Sequence, residues 1–381
     1  MTTKYYCKQL AEVDNNLKRQ MRRQSVRSPG AIDCVTERLS GHREVQHNHI
    51  TENNQTSSGA AGNSRSVSSQ EDENFEKIYP NSWIPVMESA KVKKGTIKRA
   101  IILGRDVIVT RSEEGVVSVL DAYCAHAGVN IGIGGKVLQV GNESCVQCPF
   151  HGWTYRASDG QCVRIPYSNG TKSSIPKQAK LSTWICDEVD NFIYIWHHID
   201  NLPPSWFLVP TKELSSKNWI LSGRSCHTTN LELRDVLENG ADMHHFEGVH
   251  NDLFFFGGDF LKLDRINYLQ RYLRHHWDPS WNPVLDEQGK MTHVAVMSLV
   301  SWVSIMKVRV LDIEVRATQL GPACVTLKYD SRWYGKGIIK MNAVPLGGRR
   351  TMYIQHMYTE NTYFNFFVSK IVLYGEILQV S

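Results

Sequence analysis

No run of about 18 apolar residues occurs in this 381-residue chain, so no bilayer-spanning helix is expected. The first residues also lack the apolar stretch of a secretory leader, and there is no internal repeat. Charge of one sign is scarce. The formal balance is only +5, concentrated at Lys18, Arg19, Arg22, Arg23 and Arg27, which does not describe a nucleic-acid-binding protein. Such a cluster suits solvation first, and peripheral contact with an anionic membrane such as the endoplasmic reticulum second. Nine cysteines, odd in number and irregularly placed, argue against a disulfide framework and for a reducing, intracellular compartment.

What is present is a folded enzyme's composition, 41% hydrophobic with 10% aromatic, in a length that suits two domains. Residues 1–77 are dominated by Asn, Ser, Thr, Gln, Arg and Glu and read as a disordered polar extension. From 78 to 200, short alternating runs such as Ile101–Leu103, Val107–Val109, Val116–Leu120 and Phe192–Trp196 describe a small antiparallel β domain. A polar, proline-bearing connection, Asn201 to Pro204, marks the boundary. From 201 to 381 the expectation is an α+β domain with a curved antiparallel sheet, clearest at Val294–Ile305, Val308–Thr318, Ala323–Tyr329 and Met352–Met357. One helix is expected over Leu231–Gly248 and another over Tyr363–Leu378.

The first domain holds Cys124-Ala-His126 and, after 21 intervening residues, Cys148-Pro-Phe-His151. Each half supplies one thiolate and one imidazole, the set that binds a 2Fe-2S cluster with two Cys on one iron and two His on the other. Gly128, Gly132, Gly134, Gly135 and Gly152 permit tight turns beside those ligands, and Pro149 stiffens the second loop. A zinc site is the alternative, because Cys145-Val-Gln-Cys148 is a C-x2-C that could join His151. The run Pro149 to Trp153 favours the cluster and leaves Cys145 as a neighbouring thiol.

In the second domain Asp242, His245 and His250 follow the spacing D-x2-H-x4-H. Asp242 and His245 are expected to share a helix face. His245 and His250 would point about 140° apart on an ideal helix, so the helix must break or widen near Gly248. Two imidazoles and a carboxylate form the facial triad that binds Fe(II) for oxygen chemistry. A polar helix with scattered histidines is the bland reading, against which stands the electron-carrying centre in the same chain.

These stretches, with Tyr123 to Gly135, Cys145 to Trp153, Asp159 to Tyr167, Phe192 to His198 and Glu238 to His250, resemble the Rieske non-heme iron oxygenases. Within that family they resemble the animal cholesterol 7-desaturases of the Neverland type. The resemblance implies an all-β Rieske domain followed by a helix-grip-like catalytic domain that holds a mononuclear iron. It implies a sterol substrate taken by 7,8-dehydrogenation to 7-dehydrocholesterol, for steroid hormone synthesis, with NAD(P)H electrons arriving through a separate reductase. It assigns Cys124, His126, Cys148 and His151 to the 2Fe-2S cluster, and His245 and His250 to the mononuclear iron. It makes Asp242 a bridging carboxylate between subunits of a ring-shaped homotrimer.

Three departures accompany the resemblance. Ala125 stands where proline is common, and the segment Leu138 to Glu143 is slightly long. The N-terminal membrane helix of the subfamily is not seen. The third iron ligand, an Asp on the C-terminal helix, is missing as well: after Asp330 the acids are Glu360 and Glu376, Glu376 is a weak substitute, and the catalytic domain reads as truncated. Competing readings are therefore a Rieske steroid or aromatic-ring hydroxylase and a catalytically dead electron-transfer or binding protein.

Overall fold

The computed structural model describes residues 79–168, 175–244, 273–332 and 335–360. The polar extension over 1–77 and the expected helix from Tyr363 to Leu378 lie outside them. The first domain is built from β1 (Ser82–Glu88), β2 (Thr96–Ile102), β3 (Arg105–Arg111), β4 (Val117–Asp121), β5 (Lys136–Val140), β6 (Glu143–Gln147), β7 (Thr154–Arg156), β8 (Cys162–Arg164), β9 (Thr183–Trp184), β10 (Cys186–Val189) and β11 (Phe192–His197). They form three small sheets, β1-β11-β10, β2-β3-β4-β9 and β5-β6-β7-β8, with antiparallel pairing throughout. The Cys124 segment connects β4 to β5 and the Cys148 segment connects β6 to β7.

The second domain comprises β12 (Trp219–Thr229), α1 (Leu233–Ala241), β13 (Leu273–Leu285), β14 (Met291–Ile305), β15 (Val308–Leu320), β16 (Cys324–Ser331), β17 (Gly335–Gly347) and β18 (Arg350–Glu360). Its seven-stranded sheet has the order β12-β18-β17-β16-β15-β14-β13, so the first strand pairs with the last. The four expected strands fall on β14, β15, β16 and β18, while β12, β13 and β17 were not anticipated. Pro279 and Pro283 hide β13 from a pattern reading. At the sheet edge, where one side of the strand needs no ladder donor, they are tolerated.

The helix is shorter than expected. It starts with a reciprocal cap, Asp235 Oδ2 accepting from the Glu232 amide at 2.9 Å, and ends at Ala241 after the weak helix formers Asn239 and Gly240. Asp242 is extended (φ −78°, ψ 97°), and its carboxylate accepts from the His244 amide at 3.0 Å, a local turn that competes with helix. The expectation that Asp242 and His245 share a helix face is therefore corrected at Asp242, whose conformation is not helical.

Register divides the large sheet into two unlike faces. Trp281, Met297, Ala317, Leu327, Ile339 and Met357 are successive cross-strand partners, an apolar stripe across six strands. One residue along, Thr318, Thr326, Lys340, His356 and Arg224 form a polar stripe on the opposite face. The polar stripe meets the first domain. Lys340 Nζ lies 2.7 Å from the buried Asp190 carboxylate in the β10–β11 turn, which also accepts from the Thr211 amide and hydroxyl. Glu88, at the end of β1, accepts from Arg224 Nε and Nη2, pairs with Lys91 at 2.7 Å, and lies 2.9 Å from His356 Nε2.

Apolar packing surrounds these charges. One core contains Trp83, Phe192 and Ile195 of the first domain together with Cys324, Val344 and Ile354 of the second. The connecting segment is pinned by Trp83 Nε1 donating to Trp206 O and Trp196 Nε1 donating to Leu202 O, both at 2.8 Å.

Burial alone would raise the Glu88 carboxyl, but hydrogen bonds from Arg224, Lys91 and His356 outweigh it and hold it far below the ordinary value of 4.5. Its stabilising contribution is thus complete above about pH 4.5 and is lost as pH falls below that value. Glu88→Gln should cost about 2 kcal/mol at pH 7, less than a fully enclosed pair because Arg224 and Lys91 remain part-exposed. It should also flatten the acid limb of urea midpoint against pH. Parallel limbs in the two proteins would show that Glu88 does not clasp the domains.

Candidate metal centre

The two cysteine–histidine loops close by the same pair of backbone hydrogen bonds. The Cys124 amide donates to Val129 O at 3.0 Å and Gly128 N to Cys124 O at 2.9 Å. In the second loop the Cys148 amide donates to Trp153 O at 2.8 Å and Gly152 N to Cys148 O at 3.1 Å. The glycine four residues after each cysteine has positive φ, +67° at Gly128 and +71° at Gly152, a conformation that explains glycine there. The histidine is two residues after the cysteine in one loop and three in the other, yet the loops bring matching atoms together.

His126 Nδ1 and His151 Nδ1 face each other at 3.2 Å, and the Cys148 sulfur lies within hydrogen-bonding reach of Cys124. Both sulfurs are buried and both imidazoles are exposed. The donors are therefore two pairs. Among the described residues no three metal-binding side chains of this kind meet at one point, as a tetrahedral zinc site would require. Two thiols on the inner side and two imidazoles on the outer side fit a two-iron cluster with one iron per pair.

Cys145 is set apart by strand geometry. On β6, adjacent residues face opposite sides: Val146 shares the buried cluster containing both loop cysteines, whereas Cys145 donates to Glu143 O. Burial raises the Cys148 thiol, with the neighbouring Cys124 adding to the effect, so a cation is what makes two adjacent thiolates tolerable here.

Three side chains around the loops had no role assigned from sequence. The Tyr155 hydroxyl lies 3.1 Å from Cys124 Sγ, and burial together with that contact raises its pKa, keeping it a proton donor. The indole of Trp153 stacks on His126 at 4.6 Å and 7° and donates to the Tyr167 hydroxyl at 2.7 Å. Trp153 and Tyr167 stand within the quoted motifs and Tyr155 between them, but period-two patterning cannot tell a strand residue that fills a core from one whose polar tip reaches a sulfur. The rim is apolar and open: Ile133, Phe150 and Tyr167 are 61%, 62% and 62% exposed.

Asp242 and His244 are exposed at the end of α1. His245, His250 and Glu376 lie outside the described residues.

Residues 82–178 match the model of the Rieske [2Fe-2S] domain, and residues 195–362 match that of the 3-ketosteroid 9alpha-hydroxylase C-terminal domain. The chain belongs to the Rieske oxygenase family. Among its relatives are the cholesterol 7-desaturase of Caenorhabditis elegans, 36% identical over 70% of this chain and 61% of that protein, and cholesterol 7-desaturase nvd of Drosophila melanogaster, 34% identical over 79% and 66%. The chain thus spans just under two thirds of the length of these relatives. Dicamba monooxygenase bound to dicamba shares the fold, with a TM-score of 0.54 at 15% identity over 77% of this chain and 81% of that one. The family combines the 2Fe-2S cluster with a mononuclear iron and NAD(P)H electrons delivered by a reductase.

Cysteine exchange separates the cluster from a zinc site. Cys145→Ser should leave the reduced protein's electron-spin signal unchanged, and Cys148→Ser should abolish it; loss of bound metal in both variants would place it on the C-x2-C. Removing the Tyr155 hydroxyl removes a donor to a cluster sulfur, which stabilises the reduced, more negative state. Tyr155→Phe should therefore lower the reduction potential by on the order of 50 mV, equivalent to about 1 kcal/mol in a one-electron couple. An unchanged potential in a redox titration would exclude that contact.

Proposed function

We propose that this protein is a sterol desaturase, taking cholesterol to 7-dehydrocholesterol with O2 and electrons passed from NAD(P)H through a separate reductase. The observation that carries this reading is the similarity to cholesterol 7-desaturases across both domains. The apolar stripe from Trp281 to Met357 supports it, as a wall of the kind that desolvates a rigid hydrocarbon.

In this reading Cys124 and Cys148 hold one iron of the cluster, His126 and His151 hold the other, and His245 and His250 hold the mononuclear iron. Bound there, the iron supplies oxygen activation driven by single electrons from the cluster. The protein's own contribution is positional. The loop glycines fix the cysteine carbonyls, Trp153 holds the His126 ring by stacking, and Asp242 holds imidazoles in one tautomer by accepting their N–H.

Asp242 performs that role between subunits. Its exposure, together with the open rim of Ile133, Phe150 and Tyr167 around two exposed imidazoles, supports a homotrimer in which one subunit's cluster abuts the next subunit's α1. Among the described residues no helix is long and apolar enough to cross a membrane. Contact with the endoplasmic reticulum surface, where sterol is available, is assigned to the basic segment Lys18 to Arg27.

The C-terminal-domain match to a ketosteroid hydroxylase favours one second reading, hydroxylation of a steroid ring. Sterol products formed with NADPH, a reductase and O2 decide between them: a 7,8-diene supports desaturation, and a hydroxysterol replaces it with the second reading. His245→Ala and His250→Ala should abolish product. Asp242→Asn should reduce turnover roughly 10- to 100-fold while the cluster spectrum stays intact. Product formation that survives His245→Ala would show that the iron has been placed wrongly.

A further inference from the structure

The hairpin that joins β14 to β15 ends in five consecutive exposed residues, Ile305-Met306-Lys307-Val308-Arg309. Three of them are large and apolar, with Ile305 46%, Met306 71% and Val308 64% exposed. Ile305 pairs with Val308, so Met306 and Lys307 form a two-residue turn, and both have positive φ, +48° and +70°. Such turns favour Asn, Asp and Gly, because other side chains in the left-handed region crowd their own backbone. The β10–β11 turn complies with Asp190 and Asn191, and the β17–β18 hairpin with Gly347 and Gly348. Leu103, the other large apolar residue at positive φ among the described residues, is buried in the core shared by both domains, which offsets the strain. Met306 stays in solvent.

The two faces of this hairpin differ. On one, the cross-strand pairs Ile305–Val308, Val303–Val310 and Leu299–Val315 are apolar, with Ser301–Ile313 between the last two, and they lead back to Met297–Ala317 of the apolar stripe. On the other, Trp302 stacks on His276 at 5.2 Å and 12°, and the Arg309 guanidinium lies 4.4 Å over the Trp302 ring. Trp302 is three residues behind Ile305, roughly 10 Å at the rise of a strand.

Charge at the tip is positive. Lys307 and Arg309 flank Val308, Arg274 on β13 is the register partner of Ser304, and residues 303–310 contain no acid. Asp312 lies just beyond and pairs with Arg309 at 2.8 Å, an exposed pair of little strength that leaves the tip with a net positive charge. The opposite end of β14 is built for water. There the connection is Asp286-Glu287-Gln288-Gly289-Lys290, with Asp286 Oδ1 accepting from the Gln288 and Lys290 amides and Gly289 taking the positive φ.

An apolar tip, cations beside it and an aromatic ring set back from it are the residue order of an element that enters a bilayer interface. Apolar side chains there reach about 5–10 Å into the headgroup and acyl boundary, cations stay at anionic phosphates, and Trp sits at the edge. We infer that the β14–β15 hairpin docks this protein on an anionic lipid bilayer, with Ile305, Met306 and Val308 entering the acyl boundary and Lys307 and Arg309 held at the headgroups. The choice of a bilayer over an apolar protein surface rests on the reading of the substrate as a sterol, a molecule that partitions into membranes. The apolar face of the same hairpin runs from the tip to the stripe assigned to that substrate, so a sterol leaving the bilayer along it stays in apolar contact. This contact is distinct from the one assigned to Lys18 to Arg27.

The test uses the full chain and sterol-free vesicles of four parts phosphatidylcholine to one part phosphatidylserine. The variant M306N/K307G installs the preferred turn pair, so it should hold or raise the thermal midpoint while lowering vesicle affinity roughly tenfold or more in co-sedimentation. Unchanged affinity would overturn the assignment. A second measurement does not depend on a loss: with Met306 replaced by the photoreactive benzoylphenylalanine, irradiation on vesicles should attach phospholipid at position 306, and the same replacement at Gln288 should not. Attachment to a second copy of the chain would make the tip a subunit interface and overturn the assignment, as would the absence of any lipid adduct. Neutralising Lys18, Arg19, Arg22, Arg23 and Arg27 probes the other contact; vesicle affinity that vanishes with those changes and is indifferent to M306N/K307G would place binding in the basic segment alone. None of these readouts involves sterol. A chain that docks by the hairpin but forms no 7,8-diene would refute the proposed substrate chemistry and leave the docking surface standing.

Discussion

A backbone hydrogen bond from each loop cysteine to the carbonyl five residues on, answered by a glycine amide to the cysteine's own carbonyl, is the constraint on which the metal centre rests. Such a loop closes only if its fifth residue takes a left-handed conformation, so Gly128 and Gly152 are required by the backbone and not by the metal. Two loops closed in the same way present equivalent atoms when strands bring them face to face. The β5–β6 and β6–β7 pairings do this, by placing the first loop's exit and the second loop's ends on one four-stranded sheet. Two sulfurs converge inward and two imidazoles outward as a consequence.

The same logic of paired elements holds the two domains. Burying Asp190 against Lys340 carries a desolvation cost that hydrogen bonds from Thr211 help to offset, and neither charge could be removed alone without leaving the other stranded. Apolar side chains around these groups provide the adhesion. The charges add direction: an apolar interface tolerates sliding, whereas Lys340 must find Asp190 and Arg224 must find Glu88.

How much of this was legible in the sequence follows from what each signal encodes. The convergence of Cys124, His126, Cys148 and His151 could be read because cysteine, histidine and glycine recur at short, chemically constrained spacing within single loops. Most strands of the first domain could be read because they alternate. β13 could not, since Pro279 and Pro283 are signals against a strand everywhere except at an edge, and edge position is a property of the assembled sheet. The end of α1 at Ala241 was missed for a related reason: apolar and polar spacing continues past Gly240, but the Asp242 side chain offers the His244 amide an alternative to helix. The Tyr155–Cys124 contact joins residues 31 positions apart, which no local pattern records.

The sheet register places the apolar stripe and the domain junction on opposite faces of the same seven strands. One residue of slip would exchange them, putting Lys340 and His356 among hydrocarbon and Met357 and Ile339 against Glu88 and Asp190. The ion pairs at the junction therefore do more than join domains: by fixing which face of β17 and β18 meets the first domain, they also fix which face carries the apolar stripe. A second domain without the first would lose the partners that make that register the better one, so the first domain acts through the sheet on the apolar face opposite to the one it touches.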